Sequence, residues 1–169
     1  MSDHIVMLSP ADMLADAFEL ASRVHRHQKD KAGRPYILHP VQVMLNLGLE
    51  ADDEQRAIAI LHDVVEDSDI TLIELHRRGY SQRVLDALSL LTHDKNVSYD
   101  VYVRAIGTNL DATIVKRGDL RHNSDITRMK GLNDPDGITD KDFARMTKYH
   151  KAFAYLEHRL AELKKEGCC

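Results

Sequence analysis

Four residues of metal-ligand type are scattered along this chain. They are His39 in Tyr36-Ile37-Leu38-His39-Pro40, the neighbours His62 and Asp63 in Leu61-His62-Asp63-Val64-Val65-Glu66-Asp67, and Asp119 in Lys116-Arg117-Gly118-Asp119-Leu120-Arg121-His122-Asn123. Two imidazoles and two carboxylates can hold one divalent cation and still leave coordination positions for water and substrate. His62 and Asp63 alone are equally consistent with hydrogen bonds to loops. Glu66 and Asp67 follow one turn later, and a hydrolytic site needs such spare acids where a structural metal site does not. The chemistry to expect is metal-dependent hydrolysis.

These residues need packed elements to bring them together, and nearly every segment reads as helix. Ser9-Pro10 is an N-cap followed by proline at the first helical position, with apolar residues recurring at Met13, Leu14, Ala17, Phe18, Ala21 and Val24. This helix should fade near Gln28, where Lys29 to Pro35 form a loop. Pro40 is expected to open a second helix ending at Gly48, with His39 just ahead of it. Asp52 or Asp53 should cap a third, central helix running to about Glu66, apolar almost all round. On such a continuous helix His62 and Asp63 would diverge by about 100°, and a shared ligand would lie at the seam between their faces. Thr71 and Ser81 cap two further helices, ending before Gly79 and at Leu91. Spans from Ser98 or Tyr99 to Ile106, from Asp111 to Lys130 and from Thr139 to Glu166 complete a single all-α domain of about eight helices. It would fill residues 1–169, with its core at about 11–160.

Composition limits the partners. A net charge of −4 argues against a nucleic-acid interface, which normally needs a basic face, while a few local Lys and Arg residues could still hold a small phosphorylated ligand. No apolar stretch is long enough to span a membrane and no signal-like segment opens the chain, so a cytoplasmic location is expected. The two cysteines, Cys168 and Cys169, are adjacent at the C-terminus and cannot staple a core. Oligomeric state is left open, and a homo-oligomer is compatible with this composition.

Taken in order, Gln28 with Lys31-Ala32-Gly33-Arg34-Pro35-Tyr36-Ile37-Leu38-His39-Pro40, then Leu61 to Ser68, then Asp119-Leu120-Arg121-His122-Asn123 resemble the HD-domain hydrolases. Within that group the chain is similar to the Rel/Spo hydrolase domain and to the stand-alone small alarmone hydrolases, including those of metazoans, over about residues 11–160. The resemblance implies an HD-type helical bundle in which His39, His62, Asp63 and Asp119 bind one Mn²⁺. It implies that Glu66 and Asp67 activate the attacking water and that Asn123 contacts the nucleotide. The implied reaction removes the 3′-pyrophosphate from (p)ppGpp or a related nucleotide. A broader HD-family nucleotide phosphohydrolase and a nucleotide-binding module without catalysis are the alternatives.

Lys31, Lys95, Arg145 and Tyr149 are the candidates for substrate contact. Arg145 and Tyr149 lie one helical turn apart and can face one ligand. They resemble a phosphate-binding pair of the alarmone hydrolases. Lys116 and Tyr36 appear in the quoted motifs without a role. The chain departs from the family at Asp30-Lys31, where an Arg-Lys pair is usual and the Arg stacks on guanine. An aspartate cannot stack as a guanidinium does, which opens the base preference to adenine and to (p)ppApp.

Overall fold

A computed structural model describes residues 5–30, 32–125 and 138–167. Lys31, both cysteines and residues 126–130 of the expected Asp111–Lys130 helix lie outside these. Side chains that accept from backbone amides set most helix starts. Ser9 caps α1 (Pro10–Val24) and Asp52 caps α3 (Asp53–Leu61) in a reciprocal box with Gln55. Thr71, Ser81 and Ser98 cap α5 (Leu72–Arg77), α6 (Gln82–Leu91) and α7 (Tyr99–Ile106). Asn109 caps α8 (Leu110–Asn123), and Thr139 forms a second box with Asp142 at the start of α9 (Asp140–Glu166).

Three boundaries differ from expectation. The second helix, α2, spans Leu38–Asn46, so His39 lies inside its first turn rather than ahead of Pro40. The eighth helix begins at Leu110 and closes at Asn123, with Ser124 as its C-cap. The expected central helix is two pieces, α3 and the single turn α4 (Val64–Asp67), with His62 and Asp63 at the break. No proline or glycine marks that break in the sequence. Among the described residues these nine helices occur with no strand beyond an isolated bridge between Lys29 and Pro35. No described helix is long and apolar enough to cross a membrane.

The core is organised around α3, whose Ala57, Ile58, Ala59, Ile60 and Leu61 are all fully buried. It packs on α1, α2, α6 and α8. Burying Ile58, Ile60 and Leu61 contributes about 1.5–3 kcal/mol each, which fixes the end of α3 and the His62 that follows it. The α2–α8 pair closes the other side. A Cβ on Gly118 would lie 3.1 Å from the Val43 carbonyl oxygen and 3.2 Å from Leu47 Cδ2, so glycine there permits the close approach. Asn46 Nδ2 donates to the Gly118 carbonyl at 3.0 Å.

Away from this seam, Asp111 is a buried carboxylate bonded by Arg83 Nε (2.7 Å), Arg83 Nη2 (2.8 Å) and Gln55 Nε2 (2.9 Å). Burial alone would raise its pKa, but the hydrogen bonds from Arg83 and Gln55 outweigh burial and hold the carboxyl below its ordinary value. Its stabilising contribution is therefore complete above roughly pH 4 and is lost as acid protonates it in the folded state. The variant Asp111→Asn should cost about 1–3 kcal/mol at neutral pH. Its thermal midpoint, measured against pH, should also fall less steeply below roughly pH 4 than that of the wild type.

Candidate active site

Three separate places in the chain deliver the four metal-type residues to one site. His39 comes from the first turn of α2, His62 and Asp63 from the α3–α4 break, and Asp119 from α8. His39 Nε2 lies 3.3 Å from Asp119 Oδ1 and 3.5 Å from Asp63 Oδ2. His62 Nε2 lies 3.1 Å from Asp63 Oδ2 and 3.9 Å from Asp119 Oδ1. His39, His62 and Asp119 are buried and offer one ligand atom each within 4.8 Å of one another. Ligand atoms about 2.1 Å from a shared ion would sit about 3–4 Å apart, which matches these separations.

The helix break makes this convergence attainable. On a continuous helix the adjacent His62 and Asp63 side chains would point about 100° apart. Here Asp63 has left helical regularity (φ −102, ψ −7), and its carboxylate comes within 3.1 Å of the neighbouring imidazole. Tertiary contacts of both side chains override local helix preference.

Proton positions also suit a cation. His62 Nδ1 lies 2.8 Å from the Ala59 carbonyl and must donate to it, which leaves the lone pair on Nε2. That buried Nε2 has no well-aligned hydrogen-bond partner among the described residues, although it lies 3.1 Å from Asp63 Oδ2, an arrangement expected of two atoms that ligate one ion, with the imidazole oriented through its other ring nitrogen. His39 Nδ1 pairs with His122 Nδ1 at 2.7 Å, the two rings stacked at 5.0 Å. His122 thus supports His39 from behind.

The closeness of these groups shifts their proton affinities. Burial would lower the pKa of His39, but hydrogen bonds and charge from Asp119 and Asp63 lift it to about 9. His62 likewise moves up against its burial, chiefly through the charge of Asp63. Burial would raise Asp63 and Asp119; instead the charge of His62 depresses Asp63, and that of Lys116 depresses Asp119. A divalent cation would take the place of these protons as counter-charge for the two carboxylates.

His39, Asp63 and Asp119 of the cluster line a cavity of about 500 Å³, within the usual ~300–1000 Å³ range of small-molecule sites. Glu66, Asn123, Arg145 and Tyr149 also line it. Asn123 Nδ2 donates to Asp119 Oδ1 at 2.5 Å. Arg145 Nη2 is held by Asp142 Oδ1 at 2.8 Å. Asp67 is on α4 beside Glu66 but is not among the lining residues. Its carboxyl is raised by burial and then by the nearby charge of Asp63, a shift that favours accepting a proton. Lys95 is exposed in the α6–α7 loop, away from the cavity wall. Lys31 lies outside the described residues.

Several lining groups carried no role in the sequence reading. Tyr36 donates to Asp63 Oδ2 at 2.6 Å. Lys116 Nζ bonds Asp119 Oδ2 at 2.8 Å, a contact that its i, i+3 spacing could have suggested. The His93 amide approaches Glu66 Oε2 at 3.5 Å, and nothing in the local sequence signals this. The departure at Asp30 has a structural explanation. Its Oδ1 accepts from the Ala32 and Arg34 amides, both at 2.9 Å, and so staples the loop that Gly33 turns at φ +78.

Residues 17–95, which contain the first three of these ligand-type residues, match the family model described as HD domain. Over these residues, just under half of its length, the chain is similar to the HD-domain family. Curated relatives include the human guanosine-3′,5′-bis(diphosphate) 3′-pyrophosphohydrolase MESH1, 40% identical over 98 residues that cover 54% of this chain and 53% of that protein. A protein of the same description from Aquifex aeolicus is 38% identical over 90 residues, covering 53% of this chain and 13% of its own length. A probable one from Synechocystis is 29% identical over 163 residues, covering 90% and 20%. The chain thus spans about half, or much less, of the length of these relatives. A solved metazoan orthologue of SpoT, described as hydrolysing ppGpp, shares the fold. It has a TM-score of 0.65 at 25% identity, covering 94% of this chain and 97% of that one.

The α2–α8 contact yields a direct check on this HD site. Replacing Gly118 by valine should push α8 away from Val43 and displace Asp119 from His39. Titration with Mn²⁺ should then show affinity lowered by roughly 10–100-fold, the usual effect of disturbing the support around metal ligands, while helix content by circular dichroism is retained.

Proposed function

We propose that this chain is a metal-dependent hydrolase that removes the 3′-pyrophosphate from alarmone nucleotides of the (p)ppGpp or (p)ppApp type. Its catalytic unit spans about residues 11–160, and it acts in the cytoplasm. The observation that carries the reading is the convergence of His39, His62, Asp63 and Asp119 beside one cavity, which His39, Asp63, Asp119 and Glu66 line, with Asp67 next to Glu66 on α4. The descriptions of the curated relatives and of the metazoan SpoT orthologue support the same reaction.

His39, His62, Asp63 and Asp119 would hold one divalent ion, for which mixed imidazole and carboxylate donors suit Mn²⁺ better than calcium. Such an ion supplies charge neutralisation of phosphate oxygens and a lowered water pKa. Glu66 orients the attacking water from the cavity wall and Asp67, with its raised proton affinity, takes up the proton. Water oxygen bonds to the phosphorus attached at O3′ and the P–O3′ bond breaks. Pyrophosphate is released, and the 3′ oxygen leaves protonated. Arg145 and Tyr149 bind phosphate oxygens from α9, and Asn123 positions the nucleotide while holding Asp119. Lys95, exposed outside the cavity wall, could reach the substrate only from the rim.

Base choice falls to the cavity rim formed by Lys29, Asp30 and Ala32. With Asp30 at this position and occupied in the loop, the guanidinium that would stack on guanine is replaced, which opens the base choice to adenine. Purified protein with Mn²⁺ should release pyrophosphate from ppGpp, ppApp or both. Release of inorganic phosphate instead would point to a broader phosphohydrolase, and unaltered nucleotide would sink the hydrolase reading.

The division of labour is open to a paired test. Asp63→Ala should abolish both Mn²⁺ binding and turnover. Glu66→Ala should lower kcat by roughly 10²–10⁴-fold while Mn²⁺ still binds. Equal loss of metal from both variants would show that Glu66 is a ligand rather than a water activator.

A further inference from the structure

The described tyrosine hydroxyls of the interior are satisfied, with one exception. Tyr36 donates to Asp63, Tyr80 to Asp16 Oδ2 at 2.8 Å, and Tyr102 to the Leu91 carbonyl at 2.6 Å. The Tyr99 hydroxyl is covered from bulk solvent and has no hydrogen-bond partner among the described residues. A buried tyrosine normally finds one, because an unpaired donor costs stability. Tyr99 opens α7 and lines the same cavity as the metal-type cluster. Its ring sits 6.0 Å from that of Tyr102 and 6.4 Å from that of Tyr149, with Lys148 Nζ 4.4 Å above it.

A second donor faces the same space. Lys116 lines the cavity from α8, largely buried, with Nζ bonded to Asp119 Oδ2 and 5.2 Å from the Tyr102 ring centre. An ammonium carries three N–H donors and accepts nothing, and one carboxylate oxygen does not use them all. Asp119 turns Oδ1 toward His39 and His62 and Oδ2 toward Lys116. The lysine is therefore one carboxylate away from the place where a cation would sit. Lys116 and Tyr99 line the same cavity, and both approach Tyr102, Lys116 by its Nζ and Tyr99 by its ring.

We propose that the Tyr99 hydroxyl and the Lys116 ammonium form a phosphate-binding subsite beside the metal cluster, gripping an oxygen of the substrate's diphosphate. This rests on the hydrolase reading above. A ligand shared by an ammonium and a hydroxyl must present an acceptor, ideally a charged one, and phosphate oxygens do so where a base N–H does not. The unpaired Tyr99 hydroxyl is then a binding group held ready at the expense of the fold.

The test separates binding from stability. With Mn²⁺ present, the wild type should bind inorganic pyrophosphate by calorimetry. Tyr99→Phe should weaken that binding roughly tenfold, the value of one hydrogen bond to a charged group, while its thermal midpoint is unchanged or higher. Lys116→Met should weaken it further, and Lys116→Arg should restore part of the loss. The proposal is overturned if the wild type does not bind pyrophosphate, or if Tyr99→Phe binds it equally well. A lower thermal midpoint for Tyr99→Phe also overturns it, because the hydroxyl then has a structural partner. Pyrophosphate binding lost in Tyr99→Phe, with no cleavage of either alarmone by the wild type, would support the subsite and sink only the hydrolase assignment.

Discussion

Much of this molecule follows from the burial of one carboxylate. Asp119 is 4% exposed, and an unpaired charge at that depth would be prohibitively costly. It is met from three helices at once: His39 from α2, His62 from the end of α3, and Lys116 and Asn123 from its own helix. Each of those groups needs a backbone held to within a fraction of an ångström. The buried run of α3 supplies this on one side, and the close contact of Gly118 with Val43 supplies it on the other. Core packing and site chemistry are two aspects of one arrangement, and the site could not be loosened without exposing the core.

The sequence declared its helices mainly at their beginnings. Ser9, Asp52, Thr71, Ser81, Ser98 and Thr139 each accept a hydrogen bond from the backbone amide three residues on, and side chains of this type are readable from local sequence alone. The break after Leu61 was not readable. It depends on contacts that Asp63 makes with Tyr36 and His39, residues more than twenty positions away, and no local residue preference encodes it. The same limit applied at Asn109, where the cap stands two residues ahead of the expected start because Asp111 is committed to Arg83 and Gln55.

In the candidate site, residue types were more legible than roles. The imidazoles and carboxylates stood out because their combination has few other uses. Lys116 and Tyr36 are residues of types common in helices and loops of every kind, and only burial and partner geometry distinguish them; Tyr99 and Tyr102 resemble a tyrosine pattern of bacterial alarmone hydrolases, but their sequence left core and ligand contact equally open. Asp30 shows the converse. Its identity drew attention as an unfavourable neighbour for phosphate, yet its carboxylate is engaged with the amides of its own loop, so the change is also a local solution to turning the chain at Gly33.

The longest helix serves two purposes along its length. Its buried residues, Ala152, Leu156 and Leu160, lie toward the C-terminal side, where they belong to the interior. Nearer the start, Tyr149 is packed only partly buried against that interior, and Arg145 is held by Asp142 of the same helix; both line the cavity. One continuous element thus carries packing residues at one end and cavity-lining residues at the other. Substitutions in its early turns could change what the cavity accepts while leaving the interior that fixes the metal-type cluster as it is.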